Sequence, residues 1–556
     1  MPKATVPFGE WKPDLSLLDT QFASIADNVF ATLNSYQPIP SLQAITHAML
    51  GDLPALGLFP VRRKDGTWEI YAGTRHKLWK WSFQGWTDVS RTTGGSYNVP
   101  GGELWSAVQF GTTLIAVQFG DVPQAIDVET GTNFSALGGS PPQAHNVQVI
   151  GDFVVLGGLA EGSTIAGMPT DRRMMIWCGI NNPTNWVPGN GLCDFQLFPD
   201  GGPVQGVAGN ETVAYVVQDR GIRLMQFLPG DINTIFNFTK ILHDRGAVGE
   251  FCFRTVGDVF YFINEDGFYA LAGSQLLPIG QDKANQWLML NSDRQRRNLY
   301  QIVPTNRPYV AWAFYATTAS QNYDRIIIYN WANQRFTTGT INALVWALLG
   351  SHFIDLDTDT DTTITGDQFL DSGANPGPPA AAAPPPAFFA PPPQTRGASD
   401  TPPSWGTNQT PLALDSFAYV GGRPIVCGIN QLGELCSLDG PNLPATVETA
   451  ETHLAPGMRA FVNEVYPLID GADATVGVAI RERLGDPPVW AISGQIIDSD
   501  PRNPVPGVDQ IPLEITGAAS VLTSSRLHRF RVLIPYGEVW NNAMGVLADA
   551  QPDGSA

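Results

Sequence analysis

Charge is scarce in this chain of 556 residues: Asp, Glu, Lys and Arg together make up 15% of it, well under the quarter or so of an average soluble domain. Basic residues are the rarer sign, 32 Lys and Arg against 52 Asp and Glu, for a formal net charge of −20. Tight nucleic-acid binding works by displacing counterions with Lys and Arg. A chain this acidic is therefore not expected to grip DNA over its whole surface, although DNA could pass along a wall that must not hold it. Cysteine is equally sparse. Cys178, Cys193, Cys252, Cys427 and Cys436 are odd in number and show no C-x-x-C spacing. This argues against a disulfide framework or a zinc ribbon and for buried free thiols. Residues 1–10 contain no apolar run, so no secretory signal is expected there, and no stretch approaches 18 apolar residues, so no membrane span is expected.

Reactive motifs are missing too. The chain has no G-x-S-x-G, H-E-x-x-H, G-x-x-x-x-G-K-[ST] or G-x-G-x-x-G. None of its seven His pairs with another at i, i+4. The expectation is a non-enzyme with no cofactor and no catalytic residue. One acidic run, Ile354-Asp-Leu-Asp-Thr-Asp-Thr-Asp361, alternates carboxylates as a hard cation would want. Counted from Asp355, however, Thr360 and Gly366 stand where an EF-hand loop needs Gly and Glu. Asp355, Asp357 and Asp359 are weak metal candidates beside the plainer reading of a solvated loop.

What the chain has in quantity is Gly (57), Pro (45) and apolar residues (43%), the profile of many short strands joined by turns. A phrase recurs: a Gly, an apolar strand, a turn, and a second apolar strand. It runs Gly111–Phe119 then Ala125–Val128, Gly151–Leu156 then Met174–Trp177, Gly209–Val217 then Gly221–Met225, and Gly257–Ile263 then Gly267–Leu271. The starts are spaced by 40, 58 and 48 residues, near the period of four-stranded propeller blades. Each phrase reads as the two middle strands of a blade. Ile70–Thr74 with Lys77–Trp81, Tyr309–Tyr315 with Asp324–Trp331, and Gly422–Cys427 with Gly433–Leu438 extend the series. The expectation is an all-β chain: a six- to seven-bladed β-propeller over 51–445, interrupted by a Pro/Ala-rich inserted loop at 373–403. The other reading of these hairpins is one large sandwich.

After 445 the pattern becomes strict alternation. Ala460–Pro467, Thr475–Arg483, Val489–Ile492 and Arg529–Pro535 read as half-buried strands of a C-terminal antiparallel β-sandwich over 446–556. Parity puts Phe530, Val532 and Ile534 on one face and Arg529 and Arg531 on the other. It does the same for Val476, Val478 and Ile480 against Arg481 and Arg483. If the strands pair, Arg481, Arg483, Arg529 and Arg531 form a basic patch for a neighbouring subunit, an acidic partner or DNA. Residues 1–50 read as a docking arm, with a helix over Leu18–Leu33 and an extended Pro-rich passage at Gln37–Pro40.

Several phrases resemble one family. Phe8-Gly-Glu-Trp-Lys-Pro-Asp14, Asp27-Asn-Val-Phe30, Tyr36-Gln-Pro-Ile-Pro40, Asn181-Asn-Pro-Thr-Asn-Trp186, Arg459–Asp470 and His528–Pro535 followed by Trp540 and Met544-Gly545 are similar to tail hub and nozzle proteins of short-tailed bacteriophages, including the packaged-DNA stabilisation proteins. The resemblance covers both ends and the propeller; the Pro-rich insert has no counterpart in it. It implies a structural virion protein in a homo-oligomeric ring of six. That ring would contact the portal adaptor and the tail fibres or needle, and genomic DNA would pass through it transiently during ejection. A carbohydrate-binding, receptor-recognising propeller or tail-spike-like protein is the alternative, since 15 Trp and 14 Tyr could stack on sugars.

Overall fold

The computed structural model describes residues 3–16, 22–349 and 425–553, less positions 83, 210–212, 229, 231–234, 305–306, 321, 472, 484–485, 492–496 and 499–509. Asp355, Asp357, Asp359 and the 373–403 insert lie outside the described residues. The chain is all-β: among the described residues the helices are Asn285–Asn291 and a 3-10 turn at Arg294–Leu299, and none is long and apolar enough to cross a membrane.

Four-stranded antiparallel sheets follow one another along the chain. The first is Ala55–Arg62, Trp68–Thr74, Leu78–Ser82 and Gly85–Asp88. The second is Ser106–Phe110, Thr113–Gln118, Asp121–Asp127 and Ser135–Ala136; the third is Ala144–Ile150, Phe153–Leu159, Met174–Trp177 and Asp194–Leu197. The fourth is Val204–Gly209, Val213–Gln218, Gly221–Phe227 and Phe236–Leu242; the fifth is Phe253–Val256, Val259–Asn264, Gly267–Ala272 and Gln275–Pro278. A sixth set, Gln301–Val303, Tyr309–Phe314, Tyr323–Asn330 and Arg335–Ala343, keeps the same order within a larger sheet. The seventh joins Val345–Leu349, Ile425–Ile429 and Glu434–Ser437 to an outer strand from the far end of the sequence, Gln43–Met49.

Each recurring phrase falls on the two middle strands of its sheet. Those strands are covered on both faces, which is why they read as continuous apolar runs: every residue of Phe153–Leu159 and Met174–Trp177 is buried. In the second, third and fifth sheets the turn into the middle strand opens on Gly111, Gly151 or Gly257 with φ between +56° and +61°. A two-residue hairpin needs such a residue at its first central position. First strands of successive sheets pack side by side, and apolar clusters fill the gaps between sheets. Phe153, Val155 and Trp177 of the third sheet meet Val207, Val216 and Phe236 of the fourth, with Trp177 edge-on to Phe236 at 5.1 Å. Cys427, Ile429 and Leu435 of the seventh meet Leu58, Ile70 and Ala72 of the first.

The helix expected over Leu18–Leu33 is not formed: Phe22–Asp27 and Val29–Ala31 are strands, separated by Asn28 at φ +60°. Buried Ala23 and Ala26, three apart, imitate a helical face. A register shift between Ala23 and Ile25, where the strand pairs with Ala445–Thr449, brings them to one side. Nor is 1–50 a separate arm, because its strands join three sheets. Lys3–Pro7 and Tyr36–Pro38 pair with Ala543–Pro552, and Gln43–Met49 closes the seventh sheet. Glu10–Trp11 and Phe22–Asp27 bridge Arg335–Ala343 to Ala445–Thr449. The result is one eleven-stranded sheet running from the sixth set into the C-terminal region. Arg335, 6% exposed, fixes the join by donating to the carbonyls of Gly9, Thr32 and Leu33 at 2.7, 2.7 and 3.1 Å.

The C-terminal strands form where alternation placed them: Ala460–Ile469, Thr475–Arg481, Val489–Trp490 and Leu527–Ile534. They divide between the eleven-stranded sheet and a seven-stranded sheet that includes Ala519–Ser525 and Ala543–Pro552. Val462, Val465, Val521 and Val546 from one sheet share a buried cluster with Val476, Ile480, Phe530 and Val532 from the other.

Candidate functional site

In an antiparallel four-stranded sheet the first strand begins at the same end as the turn between the second and third strands. One end of the sheet array therefore gathers the segments leading into the first strands together with these middle turns. Glu103 leads into Ser106–Phe110, His145 is the second residue of Ala144–Ile150, and Glu250 leads into Phe253–Val256. Phe119 occupies the middle turn of the second sheet, and Arg172 the approach to Met174–Trp177 in the third.

These five residues converge. His145 is 2% exposed, and its Nδ1 lies 2.8 Å from Glu103 Oε2 and 2.6 Å from Glu250 Oε1. Neither carboxylate lies in the direction of a hydrogen bond from that nitrogen, which has no hydrogen-bond partner. The ligating atoms of the three residues all fall within 4.8 Å of one another. Phe119 stacks on the imidazole with centroids 3.8 Å apart, and the Arg172 guanidinium lies over the Phe119 ring at 4.8 Å. Arg172 Nη2 also touches His145 Nε2 and lies 3.8 Å from Glu250 Oε1. Gly158, at φ +66°, lets the neighbouring strand pass: a Cβ there would sit 2.7 Å from the Val204 carbonyl oxygen and 3.3 Å from His145 Cβ.

Burial opposes a charged imidazole, but the Glu103 and Glu250 carboxylates outweigh it and hold His145 above its ordinary value. Burial pushes the Glu250 carboxyl up, against the pull of His145 and Arg172. A guanidinium only donates, so Arg172 beside Nε2 requires an acceptor lone pair there and puts the proton of the neutral ring on Nδ1, the side the carboxylates face. Sequence reasoning missed this trio because its members come from three sheets with no local spacing to reveal them. Each lies within three residues of the start of a first strand, but the recurring phrase located only the middle strands.

At the same end a cavity of about 660 Å³ lies between the fourth and fifth sheets, lined by Asp219, Arg220, Asp244, Arg245, Asp266 and Arg297 among others. Its charges largely satisfy one another: Arg245 meets Asp266 at 3.2 Å and Asp244 at 3.4 Å, and Arg220 meets Asp219 at 3.5 Å. The cysteine thiols offer no nucleophile. All five are buried, and burial pushes Cys178 and Cys252 up to about 11 and Cys193 and Cys436 to about 12.

Thr475–Arg481 does pair with Leu527–Ile534, and Arg481, Arg529 and Arg531 share one face. They do not make a free basic patch. Glu448, its side chain 2% exposed, stands opposite Arg531 and takes Arg531 Nε at 2.5 Å and Arg529 Nε at 3.1 Å. Glu451 takes Arg481 through Nη2 at 2.5 Å and Nε at 2.9 Å. Trp490 adds its ring under Arg531 at 4.2 Å. Arg483 falls beyond the strand end and is exposed, its backbone N–H donating to Asp486 at 3.0 Å. The acidic partners come from a strand whose neighbours parity alone does not disclose.

No family model and no curated protein matches the chain. Among solved structures it is similar to BamB from Moraxella catarrhalis, at 11% identity over 64% of this chain and 93% of that one, with a TM-score of 0.32. It is similar also to Hsv2 from Kluyvelomyces marxianus, at 9% identity over 56% and 92%, TM-score 0.29. A third is the computationally designed Ika8 protein, at 10% identity over 56% and 85%, TM-score 0.32.

Proposed function

We propose that this chain is a structural, non-catalytic subunit of a short-tailed phage tail hub or nozzle, assembled as a ring around the DNA exit channel. In this reading the seven sets of four strands are the blades of a propeller, with Gln43–Met49 closing the circle on Glu434–Ser437, and the C-terminal sheets are a β-sandwich. The observation that carries it is the eleven-stranded sheet. Hydrogen-bonded strands run without a break from the sixth blade through the N-terminal segment into the sandwich, so the two domains resist bending against each other as a pressurised channel wall must. Two of the phrases behind the family resemblance sit at that weld, where Trp11 pairs with Phe336 and Asp27 with Thr338, and a third lies in the adjoining seven-stranded sheet, where Tyr36 pairs with Ala543. A net charge of −20 per subunit would repel phosphate along the lumen and let DNA slide. A closed ring needs the same pair of complementary patches on every copy.

The test is the mass of the purified protein in solution together with negative-stain images of portal particles mixed with it. A ring, alone or on the portal, is the expected outcome. A monomer at every concentration with no density on the portal overturns the assignment.

A further inference from the structure

We propose that Glu103, His145 and Glu250 form a binding site for one divalent transition-metal ion of the zinc class, which clamps the second, third and fifth sheets together at one end of the array. Imidazole nitrogen and carboxylate oxygen are both ligands that such an ion takes, and three protein donors leave a fourth position for water. Two features mark the trio as more than an ion-pair network. The ligating atoms converge within 4.8 Å from three separate sheets. The central nitrogen is almost wholly buried and has carboxylate oxygens at 2.6 and 2.8 Å, yet it makes a directed hydrogen bond to neither. A cation held beside the two oxygens would draw on the Nδ1 lone pair, which the ring presents once its proton moves to Nε2. Ligand bonds of about 2.0–2.2 Å at tetrahedral angles place donors about 3.3 Å apart, so each carboxylate needs to retreat by roughly half an ångström. Glu103, with 19% of its side chain exposed, has room to do so.

Arg172 is the built-in competitor. A His that ligates through Nδ1 carries its proton on Nε2 and donates it outward, which is incompatible with the guanidinium now resting there. Binding therefore requires Arg172 to swing off Nε2. Its side chain is 42% exposed and held from one side by Phe119, so the movement is open to it. The ion takes over the positive charge that Arg172 supplies to Glu250.

The experiment uses the full chain, stripped with a chelator and titrated with Zn²⁺, Mn²⁺ and Ca²⁺ by calorimetry, with thermal midpoints recorded in parallel. Wild type should bind one Zn²⁺ per chain and melt higher with it. Both effects should weaken at least tenfold in E103Q and in E250Q, and Ca²⁺ should bind far more weakly. R172Q should bind Zn²⁺ several-fold more tightly, a result that a mere ion-pair network does not give. His145→Ala is left aside because it opens a buried site; E103Q alters a partly exposed residue and keeps the fold, as circular dichroism would verify. Equal Zn²⁺ binding by wild type and by the E103Q/E250Q double variant overturns the proposal. So does no binding by wild type, or weaker binding by R172Q.

Discussion

His528 is wholly buried on the strand Leu527–Ile534, its ring parallel to that of Phe530 with centroids 6.3 Å apart, and neither ring nitrogen has a hydrogen-bond partner. Burial, with His453 adding to it, pulls its pKa from 6.5 down to about 3. The unfolded chain takes up this proton below about 6.5, whereas the folded chain stays neutral at this site until about 3. Stability is therefore lost as pH falls through that window, at up to about 1.4 kcal/mol per pH unit. Between pH 7.5 and pH 4.5 the site should cost about 3 kcal/mol. Carboxylates titrate in the same range, so the measurement is a double difference: urea unfolding of wild type and His528→Leu, followed by tryptophan fluorescence at both pH values. The variant should be at least as stable at pH 7.5, because two buried unpartnered nitrogens are removed. It should lose about 2–3 kcal/mol less than wild type on acidification. Parallel pH dependence in the two proteins would refute the reasoning.

Other perturbations have equally definite outcomes. Glu448→Gln removes the charge between Arg529 and Arg531; because those side chains are still 14% and 20% exposed, the cost should be about 2 kcal/mol rather than the roughly 3–5 kcal/mol of a fully buried pair. Unchanged urea midpoints would show the pair to be screened. Gly139→Ala forces a Cβ to within 1.8 Å of the Thr184 carbonyl oxygen at a backbone φ of +81°, and should destabilise by about 3 kcal/mol; a loss under about 0.5 kcal/mol would contradict the packing of this turn. All five cysteines should resist a thiol reagent at pH 8 in the native protein and react promptly in urea. Fast native labelling of even one would show that its strand opens.

The middle strands were legible because burial on both faces leaves a continuous apolar run, and the hairpin glycines before Thr113–Gln118, Phe153–Leu159 and Val259–Asn264 punctuate it. Outer strands were not. Gly85–Asp88 and Ser135–Ala136 are short and largely solvent-facing, so nothing in their composition separates them from loop. The N-terminal strands were misread because a bulge at Ala23–Ile25 gave them a helical spacing, and two of the strands that Phe22–Asp27 pairs with lie over 300 residues away in the sequence. Parity placed Arg481, Arg529 and Arg531 on one face correctly, but the charge of that face depends on Glu448 and Glu451. The Glu103–His145–Glu250 trio illustrates the general limit: its chemistry arises only when three sheets stand side by side.

The pairing of Met49 with Glu434 also bears on how the molecule is made. About 385 positions separate the two, and a ribosome adding 5–20 residues per second needs roughly 20–80 s to travel between them. Throughout that time Gln43–Met49 has emerged while the strand it will pair with does not yet exist. Its unsatisfied backbone edge must be sheltered from neighbouring nascent chains, by a chaperone or by a temporary partner within the same polypeptide.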